Sequence, residues 1–151
     1  IQGALGPLGI AIEIVRVREE DWFGSESPLT RRTFDLIEFA WVSGLEPNGQ
    51  SLYTCGEIPT ADNGWHGQNY GGWCNSAATA ALVAAAQEMR LDARKELYRI
   101  AQEQFTAELP ALPLFSRLEY YAAAPALANL KMNPTERVTW NCWEWSLPAR
   151  R

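Results

Sequence analysis

The hydrophobic pattern changes period along the chain, and the changes divide it. From Ile1 to Leu8, apolar residues recur at Ile1, Leu5 and Leu8, and Gly6-Pro7 closes the run. That spacing predicts the last turns of a helix. Gly9 to Val17 (GIAIEIVRV) alternates Ile10, Ile12 and Ile14 with smaller or polar residues, and its β-branched density predicts a strand. Arg18 to Arg32 is charged and reads as one or two helical turns and a loop, with Asp21 as a cap before Trp22 and with Gly24 and Pro28 as limits. Phe34 to Val42 (FDLIEFAWV) predicts a second strand, which breaks at Ser43-Gly44 and leads into a loop carrying Glu46 and Asn48. Such a loop on a stiff scaffold is a common place for a binding site.

The second half is helical first and then extended. Gln50 to Cys55 reads as a helical turn. Asn75-Ser76 caps an alanine-rich helix that runs through Met89. Asp92 is the expected cap of a helix over 93–109, with Leu97, Ala101, Phe105 and Leu109 on one face. The short joint at Arg90-Leu91 predicts an antiparallel or steeply angled pair. Short strands are expected over 111–117 and 118–124, an irregular stretch over 125–134, and a last strand over 138–147. The order of helices and strands predicts an α/β layer arrangement.

Composition narrows the function classes. The chain has 151 residues, 47% hydrophobic and 21% charged, which predicts one globular domain. A net charge of −5 without a basic cluster argues against nucleic acid as a partner. Seven Trp residues favour either a large core or stacking surfaces for a ligand. Cys55, Cys74 and Cys142 form no C-x-x-C and have no histidine at zinc spacing, so neither a metal nor another cofactor is expected; one disulfide plus a free thiol fits the count. The longest strongly apolar run, 77–86, is too short to span a bilayer. No signal-peptide pattern opens the chain, and a start at IQGALGPLGI without methionine reads as a cut inside a longer protein.

Candidate chemistry is sparse. The single histidine, His66, has no Cys/His signature around it, no G-x-S-x-G elbow is present, and no glycine-rich phosphate loop precedes a helix. Glu38 is either an edge residue facing water or an acid aimed at a cleft. Glu38 and Glu46 beside tryptophans would suit an acid/base pair on a glycoside only at the right separation. The stretch 64–73 (GWHGQNYGGW) is either a ligand-stacking loop or a surface loop pinned by aromatic anchors. Binding, not catalysis, is the better reading.

Taken together, the pieces resemble the C-terminal lobe of the extracytoplasmic solute-binding proteins of oligopeptide, dipeptide and nickel ABC importers (solute-binding family 5). IQGALGPLGIAIEI is similar to the family's helix-then-strand opening. TFDLIEFAW followed by LEP resembles its cleft strand and exit, and the run from Asn75 to Phe115 its two-helix segment. The resemblance implies an α/β, periplasmic-binding-protein-like lobe (class II type), a mixed sheet flanked by helices, in a two-lobed clamshell that is not an enzyme and whose ligand lies between the lobes. It also implies an extracytoplasmic or periplasmic location, often as a lipoprotein anchored through the missing N-terminus, and an ABC permease of the inner membrane as partner. The whole chain would be one lobe fragment, lacking its N-terminal lobe, with a homodimer through an exposed sheet edge as a further expectation. The implied ligand-binding residues are Trp22, Trp41, Ser43, Gly44, Glu46, Trp65 and Asn69. Peptide-binding members carry an amine-pairing Asp three residues after the strand-end Trp. Here that position is Gly44, with Glu38 or Glu46 as a substitute anchor, which leaves the ligand open between a peptide, a sugar and another neutral solute. The alternative is a free-standing carbohydrate-binding or peptide-interaction module, with a hydrolase behind it.

Overall fold

Two antiparallel helices form the centre of the molecule, and the segments before them are strapped onto one end. A computed structural model of the chain describes residues 1–42, 49–116 and 118–148. Its helices are α1 (Gln2–Leu5), α2 (Pro28–Arg31), α3 (Gln50–Tyr53), α4 (Ser76–Gln87) and α5 (Leu91–Glu108), with 3₁₀ turns at Gly6–Leu8, Glu19–Asp21, Cys55–Glu57 and Cys142–Glu144.

The Asn75 side chain accepts the Ala78 amide at 2.9 Å and so caps α4 as the sequence predicts. Small residues then place Ala78, Ala81, Leu82 and Ala85 on one buried stripe. Ala101 of α5 meets this stripe, and Tyr53, Trp73, Tyr98 and Ile100 close around it. The capping residue also fixes the direction of the pair. The Asn75 amide donates to Glu108 Oε1 at 2.7 Å and to Gln104 at 3.3 Å, which joins the start of α4 to the end of α5. Trp73 Nε1 donates to the other Glu108 oxygen at 2.6 Å. The α5 cap differs from expectation: Arg90 is the N-cap and Asp92 lies inside the first turn, where its charge still favours the helix N-terminus. Leu109 ends α5 in the left-handed region at φ 47° and is exposed, so the predicted four-residue stripe loses its last member.

Pro28 starts a helix and does not limit one. It occupies the first helical position of α2, where a missing N–H costs nothing, and Ser27 Oγ caps it by accepting the Thr30 amide at 3.0 Å.

The expected mixed α/β sheet is not there. Among the described residues no strand forms, and the one element of β pairing is an isolated antiparallel bridge between Ala128 and Ser146. The segments read as strands over 9–17, 34–42, 111–116 and 118–124 lack regular structure, and most of 138–147 is turns. The reason is that alternation and β-branching describe a chain suited to a half-buried pleated surface, while a strand also needs a neighbour to complete its hydrogen bonds. Here Ile14, Val15, Leu36, Val42, Leu112, Phe115 and Tyr120 remain exposed. The sheet edge that the homodimer expectation relied on is likewise absent among the described residues.

The C-terminal segment forms a hook. Asn141 is fully buried; its amide donates to Asn129 O at 2.7 Å and its oxygen accepts Trp145 Nε1 at 3.0 Å. Lys131 pairs with Glu144 at 2.6 Å, and hydrogen bonds from Lys131 and Asn141 hold that carboxyl below its ordinary range.

Candidate functional site

The loop from Cys55 to Cys74 is the best-fixed irregular segment. A disulfide joins its two ends, so the aromatic residues between them hang on a closed loop. The same clamp reaches α4, since the Cys55 amide donates to Thr79 Oγ1 at 3.2 Å. Inside the loop, Asn69 is 2% exposed, and its side-chain amide donates to Thr54 O at 3.0 Å and Trp73 O at 2.7 Å. Its backbone amide bonds Glu57 O at 2.9 Å. A buried amide with both donors satisfied fixes the backbone on either side of it.

Gly67 shows how tightly the loop is packed. Its φ is +111°, and a Cβ there would collide with the Glu57 carbonyl. Gly67→Ala is therefore expected to destabilise the loop by roughly 2–3 kcal/mol, because the side chain meets both backbone strain and a fixed neighbour. Hydrogen exchange checks this: the Trp65 and Asn69 amides should lose protection in the variant, while those of α4 keep it.

Next to Asn69, Tyr70 joins an aromatic cluster that reaches back to the first third of the chain. The Trp41 and Tyr70 rings are parallel within 2° with centroids 6.0 Å apart. Phe39 stands edge-on to Trp41 at 5.1 Å, to Tyr70 at 6.3 Å and to Trp22 at 6.2 Å. Arg32 Nε donates to Tyr70 O at 3.1 Å and secures the junction. Burial pushes the Tyr70 phenol above its ordinary value, so it stays a neutral donor at physiological pH. Trp41 is 40% exposed, which leaves part of its ring open to a ligand.

The expected site residues fall into four groups. Trp22 and Trp41 come together through Phe39. Trp65 stands apart from that wall, on the far part of the closed loop, with the Arg31 guanidinium 4.4 Å above its ring centroid. Asn69 is an internal brace. Ser43, Gly44 and Glu46 lie outside the described residues. Phe39 and Tyr70 complete the wall, and the sequence does not single them out as binding residues. Their signal is present in alternation with Trp41 and in the glycine-flanked aromatic loop, but pairing across thirty residues is set by the disulfide and Arg32. Glu38 is exposed on irregular chain. Among the described residues no three His, Cys, Asp or Glu side chains converge as a metal-ligand set. No described helix is long and apolar enough to cross a membrane.

No family model matches the chain. It is similar to a dipeptide-binding protein of Pseudomonas aeruginosa, 26% identical over 106 residues, which is 68% of this chain and 19% of that protein. Among solved structures it is similar to an oligopeptide binding protein from Thermus thermophilus complexed with a pentapeptide. The identity is 35% and the TM-score 0.75, over 85% of this chain and 23% of that one. The chain thus spans about a fifth of the length of the proteins it matches, 19% and 23% respectively.

Proposed function

We propose that this chain, a relative of the family 5 extracytoplasmic solute-binding proteins of ABC importers, supplies part of the binding surface of a peptide-binding protein several times its length. The observation that carries the reading is the likeness to the pentapeptide-bound Thermus protein, at 35% identity and a TM-score of 0.75. A second, dipeptide-binding relative points to the same ligand class. Both relatives are named for binding and neither for catalysis, which favours a carrier over an enzyme. The Cys55–Cys74 disulfide favours an oxidising, extracytoplasmic compartment. In this reading the chain is one lobe fragment, and the solute is handed to an inner-membrane ABC permease.

Trp22, Phe39, Trp41 and Tyr70 would then form an apolar wall against the peptide. Aromatic faces suit this task because they bury large area at a small cost in rotamer entropy. The exposed apolar residues of the irregular segments would be covered by the remainder of the longer protein. The test is calorimetric titration of the full-length protein with di- to pentapeptides, and with neutral sugars as a comparison. Peptide binding at micromolar or tighter dissociation constants is expected. Sugar binding without peptide binding would overturn the reading and favour a carbohydrate-binding module.

A further inference from the structure

Helix α2 ends on a residue that its local geometry does not favour. Arg32 stands in the left-handed region at φ 55° and ψ 42°. Its N–H donates to Leu29 O at 3.2 Å, and the Thr33 N–H donates to Pro28 O at 3.0 Å. Glycine is the usual occupant of such a position, because any side chain there is strained. An arginine that accepts this strain is held by something beyond the turn.

Its side chain shows what holds it. Arg32 Nε donates to Tyr70 O, 38 residues away, at 3.1 Å. Tyr70 lies inside a turn that the Gly72 N–H closes on Asn69 O at 3.0 Å. The guanidinium also lies on the bare face of Gly72, where a Cβ would collide with it. One side chain thus grips a single turn twice, by a hydrogen bond and by close packing.

The neighbouring arginine makes a different contact. The Arg31 guanidinium lies 4.4 Å above the Trp65 ring centroid and pairs with Glu26, while its buried Nε has no partner among the described residues. Arg31 therefore covers a ring without fixing the loop's backbone. The disulfide joins the loop's ends to each other and, through Thr79, to α4. Arg32 joins its 69–72 turn to the first third of the chain, directly before the segment that carries Phe39 and Trp41.

We propose that Arg32 is a positioning residue for the aromatic wall. By gripping the 69–72 turn it sets the Tyr70 ring parallel to Trp41, and Gly72 is required as the bare surface that admits the guanidinium. The effect on ligand affinity rests on the peptide-binding reading; the effect on the rings does not.

The test uses the full-length protein labelled with 5-fluorotryptophan. The Trp41 resonance is identified by its loss in Trp41→Phe, and the influence of the Tyr70 ring on it by its displacement in Tyr70→Ala. Arg32→Gly keeps the left-handed turn, which glycine favours, and removes only the side chain. It is expected to move the Trp41 resonance most of the way to its Tyr70→Ala position. It should weaken peptide binding about fivefold, the scale of one lost hydrogen bond. Its melting temperature should stay within about 3 °C of wild type, since the relieved strain offsets the lost contact. Arg31→Gln, one residue away, should leave the Trp41 resonance in place. Gly72→Ala should move it as Arg32→Gly does. Adding Gly72→Ala to Arg32→Gly should move it no further, because the guanidinium it displaces is already gone. A Trp41 resonance unmoved by Arg32→Gly, or moved equally by Arg31→Gln, overturns the clamp and leaves peptide binding standing. Absence of peptide binding by the wild type overturns the peptide reading instead, and the Trp41 resonance then decides the clamp by itself.

Discussion

Removing the Cys55–Cys74 disulfide is expected to lower the stability of the surrounding unit by about 3 kcal/mol, the size associated with closing a loop of this length. The chain between the two cysteines has little else of regular structure to hold it. It contains one 3₁₀ turn, at Cys55–Glu57, and otherwise depends on Asn69, Gly67 and a few turn hydrogen bonds. Opening the link would therefore release Trp65, Asn69 and Tyr70 together, and with Tyr70 the parallel contact to Trp41. A Cys55→Ala/Cys74→Ala protein should show a lower denaturation midpoint, rapid exchange of the Trp65, Asn69 and Gly72 amides, and weaker peptide binding. Cys142→Ala is the control: that thiol is free and exposed, and its loss should change stability by less than about 0.5 kcal/mol. Unchanged protection of the 57–72 amides in the double variant would show that the hydrogen bonds alone hold the loop.

The helical half of this fold is legible in the sequence because its signals are local. Asn75 as a cap, an alanine run and an apolar face at Ala101 and Phe105 each act within a few residues, and the structure keeps them. The strands are misread for the opposite reason. Ile10, Ile12 and Ile14, and likewise Ile37, Phe39 and Trp41, carry a genuine period-two pattern, but pairing is not a property of one segment, and the described residues offer these segments no neighbour. Boundaries fail where two rules compete. Pro28 looks like a helix breaker in isolation, and Ser27 directly before it turns it into a first helical residue. The site is half legible. Trp22 and Trp41 stand out for their place around the 34–42 segment, and the structure brings them together through Phe39. Asn69 stands out because it sits among glycines and aromatics, yet the features that make it conspicuous also make it a brace for the loop's own backbone.

Trp41→Ala is expected to weaken peptide affinity of the full-length protein by ten- to a hundredfold, about 1.4–2.7 kcal/mol, the range of a central aromatic contact. Trp41 combines two properties that separate a contact residue from a core residue. Its ring is ordered by neighbours on two sides, Tyr70 in parallel at 6.0 Å and Phe39 edge-on at 5.1 Å, so it is pre-positioned. It is also 40% exposed, so its loss leaves no closed cavity in the protein. Binding should suffer far more than folding. Trp41→Phe keeps a ring in place and should retain affinity within about fivefold, because most of the stacking area survives. Tyr70→Ala should reproduce much of the loss through collapse of the parallel pair. Trp143 offers a comparison: it is 72% exposed, lies in the C-terminal hook, and its replacement by alanine should leave affinity unchanged. Titration of the four variants against one pentapeptide, with thermal melts alongside, separates the outcomes. Equal affinity for wild type and Trp41→Ala would place the peptide elsewhere, whereas a parallel fall in melting temperature and affinity would make Trp41 a scaffold residue. A fall in affinity at constant melting temperature is the result that a ligand-facing wall requires.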